Sequence, residues 1–342
     1  MEYVILALIL IVTTILVWTL ISHLVYHRSL MASIVCLYFR LTVRHYKEER
    51  IENDLKFLPS KNDVEYHLPK GFRFNKNSRE GLFEQMKVFH LNPDEEKFAL
   101  IYLHGGGYVR QPRRHHLMFL KKLAKYNKNV IVPIYPKGPN HHPDEVYALL
   151  TKFYLNTLEK YQNVILMGDS SGGGLALGLT EYFKEKGYSL PKCLILMSPW
   201  CDLTLENPLL DKYQKVEPLV NYKEERVWAK CWAKDMDLKN YMVSPMFGNL
   251  NGLPKIFLFV GERELLYPDT IKLNQLLKES DVDVNLIIGK GMNHVYQIYP
   301  IPEARKALKQ INLIIKNEKS DKGNWKEIIW TNLQLLLIRV VS

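Results

Sequence analysis

The chain has 342 residues, 47% of them apolar, and a formal net charge of +10 from 46 Lys and Arg against 36 Asp and Glu. That length and apolar content can bury a substantial core and suit one large domain. The basic residues are interspersed with acidic ones, without a dense basic block or an aromatic-basic motif, which argues against nucleic acid and for a surface facing anionic lipid.

Residues 3–25 are almost wholly apolar and carry no Asp, Glu, Lys or Arg. At a rise of about 1.5 Å per residue they cross a hydrocarbon core of roughly 30 Å, so they are expected to form a transmembrane helix. No basic stretch precedes them and no small-x-small cleavage site follows, which favours a retained anchor over a signal peptide. Glu2 precedes the span whereas Arg28, Arg40, Arg44, Lys47 and Arg50 follow it. The positive-inside rule then places the body of the protein in the cytoplasm. The four cysteines, Cys36, Cys193, Cys201 and Cys231, show no C-x-x-C spacing and read as reduced and buried.

Residues 29–47 set Leu37, Phe39 and Leu41 against Arg40, Arg44 and Lys47, a pattern suited to the membrane interface or to covering a catalytic domain. Residues 48–97 are polar and turn-rich, with Pro59, Pro69, Gly71 and Pro93, and are expected to carry short antiparallel strands. Beyond them, apolar runs at 98–103, 130–135, 164–167, 193–197, 256–260 and 284–288 alternate with helical stretches near 113–127, 143–160, 172–186, 267–279 and 302–317. Strands spaced by helices build a mostly parallel sheet with helices on both faces, whose chemistry sits at the carboxyl ends of the strands. The stretch 203–245 breaks the alternation; Trp228, Trp232 and Met236 recur at helical spacing, as a core-facing stripe or as a cap over a pocket. Residues 325–341 are apolar again, interrupted by Asn332, Gln334 and Arg339, and predict a docked or interfacial helix.

The run Val164 to Met167 breaks into Gly168-Asp169-Ser170-Ser171-Gly172 and then a small-residue helix. This Gly-x-Ser-x-Gly elbow presents Ser170 as a nucleophile, while Ser171 has Asp169 at its −2 position and fails the pattern. A phosphate loop is excluded because no Gly-Lys-Ser/Thr follows. Upstream, His104-Gly105-Gly106-Gly107 follows a strand, so Gly105 and Gly106, with the amide of Ser171, are expected to form an oxyanion hole. Of eleven histidines, His294 follows the last strand in Gly289-Lys290-Gly291-Met292-Asn293-His294 and is the expected general base, whereas His115/His116 and His141/His142 read as surface or loop residues. The acid must come from the loop after residue 260, which offers Glu262, Glu264 and Asp269. Glu264 stands where a side chain can turn back under the histidine, and Asp269 is its rival.

These residues resemble the hormone-sensitive-lipase-like branch of the α/β-hydrolases, and within it membrane-anchored steryl acetyl hydrolases and lipase-like carboxylesterases. The resemblance spans about residues 98–315 and rests on His104 to Gly107, Tyr135 to Pro143, Gly168 to Gly174, Ser198-Pro-Trp-Cys-Asp-Leu-Thr204, Ser244-Pro245, Leu253-Pro254 and Gly291-x-x-His294. Lys137, Gly138 and Asn140 depart from it. The resemblance implies an α/β-hydrolase fold with a helical cap, a triad of Ser170, Glu264 and His294, and hydrolysis of short- to medium-chain acyl or acetyl esters, without metal or organic cofactor. The implied partners are a small-molecule or lipid ester and, through the N-terminal helix, a membrane. The expected organisation is an anchor over 1–28, an interfacial and sheet lead-in segment over 29–97, a catalytic domain over 98–320 with a cap at 203–245, and an apolar helix over 321–342. A non-catalytic binding protein would be expected to have lost the serine or the histidine, and a peptidase would call for a larger lid or propeller.

Overall fold

Six short apolar runs form the parallel centre of the sheet in the computed structural model, which describes residues 1–43, 47–62 and 64–319. They are β3 (Phe98–Leu103), β4 (Val130–Pro133), β5 (Asn163–Asp169), β6 (Cys193–Met197), β7 (Lys255–Gly261) and β8 (Val284–Gly289). Two antiparallel strands, β1 (Arg79–Phe83) and β2 (Met86–Leu91), extend one edge, and the order is β1-β2-β4-β3-β5-β6-β7-β8. Every residue of β3 and β6 is buried. A parallel sheet covered on both faces requires such unbroken apolar strands.

The two-residue period of β3 still sorts its side chains: Ala99, Ile101 and Leu103 join one core layer, Phe98, Leu100 and Tyr102 the other. The first layer is closed by α5 (Pro143–Tyr161), α6 (Ser171–Glu185) and α9 (Tyr267–Glu279), the second by α4 (Arg114–Tyr126) and α10 (Pro302–Lys319). The five expected helices of this region are all found, most with ends shifted by one or two residues.

Residues 48–97 differ from expectation. The antiparallel strands are present, but they are preceded by a helix, α3 (Glu48–Asn62). Glu48 and Glu49 in its first turn favour its dipole, and Ile51, Leu55 and Leu58 recur at helical spacing against the core. Reading Pro59 as a turn signal hid this face. The stretch 203–245 carries α7 (Leu210–Gln214) and α8 (Tyr222–Ala233).

At the N-terminus, α1 (Glu2–Leu24) is long and apolar enough to cross a membrane, and its apolar side chains point outward. It leads into α2 (Leu30–Thr42), which the Ser29 hydroxyl caps by accepting the Ala32 N–H. Arg44 and the apolar segment 325–341 lie outside the described residues. Cys36, Cys193 and Cys201 are buried and Cys231 is half-buried, all as free thiols.

Candidate active site

Ser170 sits between the end of β5 and the first residue of α6, with φ 51° and ψ −124°. A non-glycine residue there is strained by on the order of 1–3 kcal/mol, so the surroundings must hold it. They do: the Ser170 N–H donates to Met197 O at 2.9 Å, and its carbonyl accepts from Gly173, Gly174 and Trp200. The flanking glycines are needed for space. A Cβ on Gly168 would run into the carbonyl of Gly172, and one on Gly172 into that of Leu103.

His294 follows β8 and brings Nε2 to 3.0 Å from Ser170 Oγ, with Nδ1 3.3 Å from Glu264 Oε1. The carboxylate only accepts, which puts the ring proton on Nδ1 and leaves Nε2 to take the serine proton. Glu264 is fully buried, and its other oxygen accepts from Ser198 Oγ at 2.7 Å and the Gly261 N–H at 2.8 Å. Ser198 in turn accepts the Val295 N–H at 3.1 Å, tying acid and histidine loops together. Of the three carboxylates the sequence left open, only Glu264 reaches His294. Asp269 accepts from Asn207 Nδ2 at 2.6 Å, and Glu262 accepts the Gly291 N–H at 2.9 Å.

Burial alone would discourage a charge on His294, but the hydrogen bond and charge of Glu264, with further help from Glu217 and Glu225, outweigh it and raise its pKa. Glu217 and Glu225 are themselves pushed up to about 7 by burial. The sequence reading missed both, because carboxylates in a charged cap segment look solvated.

The glycine loop is used differently from expectation. The Gly105 N–H donates to Asp169 Oδ1 at 3.0 Å, so it is committed to holding the loop and is removed from the set of oxyanion donors. The amides of Gly106, Gly107 and Ser171 have no protein acceptor among the described residues, and Gly106 and Gly107 line the same cavity as Ser170. Asp169 Oδ1 also accepts from the Tyr102 hydroxyl at 2.5 Å, and Oδ2 from His116 Nε2 at 3.3 Å. His116 Nδ1 accepts the Arg113 N–H at 3.0 Å, which fixes the proton on Nε2. Burial would raise the Asp169 carboxyl, yet His116, Tyr102 and Gly105 together bring it down to about 2. His115 and His116 are therefore not surface residues: His116 is buried behind the loop, and His115 lines the cavity with its pKa lowered to about 3, mainly by burial.

A cavity of about 110 Å³ opens over Ser170, walled by Trp200, Leu219, Val220, Leu266, Ile298 and Tyr299, with Arg113 and Glu225 among its polar lining. The stripe of Trp228 and Trp232 faces the core, Trp232 stacking on Tyr108 at 4.6 Å. Leu219, Val220 and Glu225 contribute the cap's share of the lining.

A family model described as the alpha/beta hydrolase fold matches residues 100–298, more than half of the chain. The chain belongs to this family. An esterase of Acinetobacter venetianus is 30% identical to this α/β-hydrolase over 219 residues, covering 62% of this chain and 72% of the relative. An acetyl-hydrolase of Streptomyces hygroscopicus is 28% identical over 221 residues, 61% and 72% of the two chains. The crystal structure of a Staphylococcus aureus protein assigned as an esterase superposes with a TM-score of 0.76 at 28% identity, covering 82% of this chain and 95% of that one. An esterase from the bacterial hormone-sensitive lipase family shares the fold at a TM-score of 0.73 and 21% identity.

Proposed function

We propose that this chain is a carboxylic-ester hydrolase that works through an acyl-enzyme on Ser170. Relatives named esterase and acetyl-hydrolase support the reaction class, and the observation that carries the mechanism is the line Ser170 Oγ, His294, Glu264, with spacings of 3.0 and 3.3 Å. A serine hydroxyl is a weak nucleophile until a positioned base removes its proton. His294 Nε2 takes that proton as Oγ attacks the ester carbonyl, and Glu264 steadies the imidazolium that forms. The free amides of Gly106, Gly107 and Ser171 receive the oxyanion, each donor contributing about 10²–10³ in rate. His294 returns its proton to the leaving alcohol, and a water activated by the same base then releases the acid.

The apolar walls of the cavity, Trp200, Leu219, Val220 and Ile298, suit the acyl part of an ester. A fluorophosphonate probe should label Ser170, and a series of acyl esters should fall in kcat/KM beyond short to medium chains. Failure to label, or no ester turnover, would sink the assignment.

Membrane anchoring is part of the same reading. It is supported by the apolar helix α1 and by the segment after it, which is seated in the catalytic body: Arg28 Nη1 donates to Asn293 Oδ1 at 3.4 Å, and the Ser29 N–H and hydroxyl both donate to Glu303. The basic residues after the span support an orientation with the body in the cytoplasm. Resistance to carbonate extraction tests the anchor, and protease protection tests the orientation.

A further inference from the structure

The helix α2 is amphipathic in an unusual sense, being apolar on both sides. Ala32, Ser33 and Cys36 are buried against the body, with Val35 and Phe39 packed beside them. On the other side Met31, Ile34, Leu37, Tyr38 and Leu41 are all exposed, Tyr38 by 60% and Leu41 by 77%. A run of large apolar side chains at this spacing is too extensive for an ordinary solvated helix face.

The position of this face narrows what covers it. α2 follows α1 after a turn of five residues, and the two helices touch. Whatever medium receives the exposed apolar side chains of α1 therefore lies next to α2. The turn is fixed in place: a Cβ on Gly291, in the loop that carries His294, would run into the carbonyl of Tyr26, and Arg28 also donates to Ser33 Oγ at 2.9 Å. The inner side of α2 reaches the active site. Phe39 meets Tyr299 edge-on at 4.9 Å, Tyr299 lines the cavity over Ser170, and Arg40 donates to Val216 O, just before the cap residues Leu219 and Val220 that line the same cavity.

We propose that the outer face of α2 rests in the interfacial layer of a lipid bilayer, so that the cavity mouth stands at the lipid surface and receives esters dissolved in the membrane. The proposal rests on the ester-hydrolase reading and on α1 as an anchor. An interfacial helix gains affinity in proportion to the apolar area it inserts, and five large side chains beside a spanning helix supply that area. Delivery along the surface also spares a lipid ester the cost of leaving the membrane for water.

Two measurements on the full chain in proteoliposomes test this. Photolabelling of the wild-type protein with a phospholipid bearing a diazirine in its acyl chain should mark residues 31–41 as well as 3–24. Labels confined to 3–24, or absent from both, would overturn the proposal and leave α2 to another partner. In the second, Leu37→Glu with Leu41→Glu should keep turnover of soluble p-nitrophenyl acetate within about twofold while lowering hydrolysis of a vesicle-dissolved ester about tenfold. Equal effects on the two substrates, with soluble turnover preserved, would also overturn it. A wild-type protein that is labelled in α2 yet never hydrolyses p-nitrophenyl acetate would instead refute the ester-hydrolase reading. If the double variant loses both activities, the wild-type labelling decides.

Discussion

Asp169 Oδ1 accepts the N–H of Gly105 at 3.0 Å across 64 residues of sequence, so one buried carboxylate holds the glycine loop to the strand that presents Ser170. Its other oxygen accepts a hydrogen bond from His116 Nε2. Asp169→Asn would face His116 Nε2–H with an amide donor and leave the network one acceptor short. Asp169 is a positioning residue, because it touches the loop and not the reacting atoms. The variant should therefore lose kcat by about 10–10² with little change in KM, and about 1–3 kcal/mol of stability. Unchanged kcat with the same stability loss would reduce Asp169 to a structural role.

Ser170→Ala should lower ester hydrolysis by at least ~10⁴-fold while leaving the fold intact, since the Ser170 hydroxyl is the one that His294 Nε2 reaches. Ser171→Ala is expected to be mild. Its hydroxyl is buried beside the Tyr135 side chain, and only its amide has a part in the proposed mechanism. A Ser170→Ala enzyme retaining most activity in steady-state assays would refute the nucleophile.

The base must be neutral to accept the serine proton, and His294 binds its proton more tightly than an ordinary imidazole. Activity is therefore present above the His294 pKa and lost as pH falls through it, with a midpoint higher than the usual value of about 6.5. Glu264→Gln removes the largest of the influences that raise it, so the limb should move to lower pH while kcat falls by about 10²–10⁴. Asp269→Asn should leave both unchanged. Glu225→Gln should shift the limb in the same direction by a smaller amount, because Glu225 acts only through its charge. A pH–rate profile for each variant separates these cases, and a limb at the same pH in Glu264→Gln would contradict the pairing.

What the sequence made legible was local. Strands and helices after residue 98 declare themselves through unbroken apolar runs and 3.6-residue spacing, and Ser170 and His294 lie in turns whose chemistry is written in neighbouring glycines. What stayed hidden depends on distant pairings. Nothing near Gly105 reveals that its amide is taken by Asp169, nothing near His116 that it points inward, and Glu217 and Glu225 acquire their raised pKa values only through burial in the folded chain. Ser198 stood in a motif that carried the resemblance, but its bond to Glu264 becomes visible only with β6 and β7 side by side.

The seating of the N-terminal turn makes a final prediction about truncation. A chain beginning at residue 25 would lose α1, whose apolar side chains are exposed, but keep Tyr26 to Ser29 and α2 in place. A chain beginning at residue 48 would lose more: the bonds from Arg28 to Asn293 and from Ser29 to Glu303, the Phe39 contact with Tyr299, and the cover that Ala32 and Cys36 give the core. Asn293 adjoins His294, so this loss falls on the catalytic loop. At about 1.5–3 kcal/mol for each large apolar side chain uncovered, the shorter chain should melt roughly 10 °C lower. Its kcat on a soluble ester should also drop, because the loop that aims His294 has lost its backing. The chain from residue 25 should match the intact protein in both respects on soluble esters. If the chain from residue 48 has the same melting temperature and kcat as the one from residue 25, the turn and α2 are passive linkers and the coupling of anchor to catalytic loop is refuted.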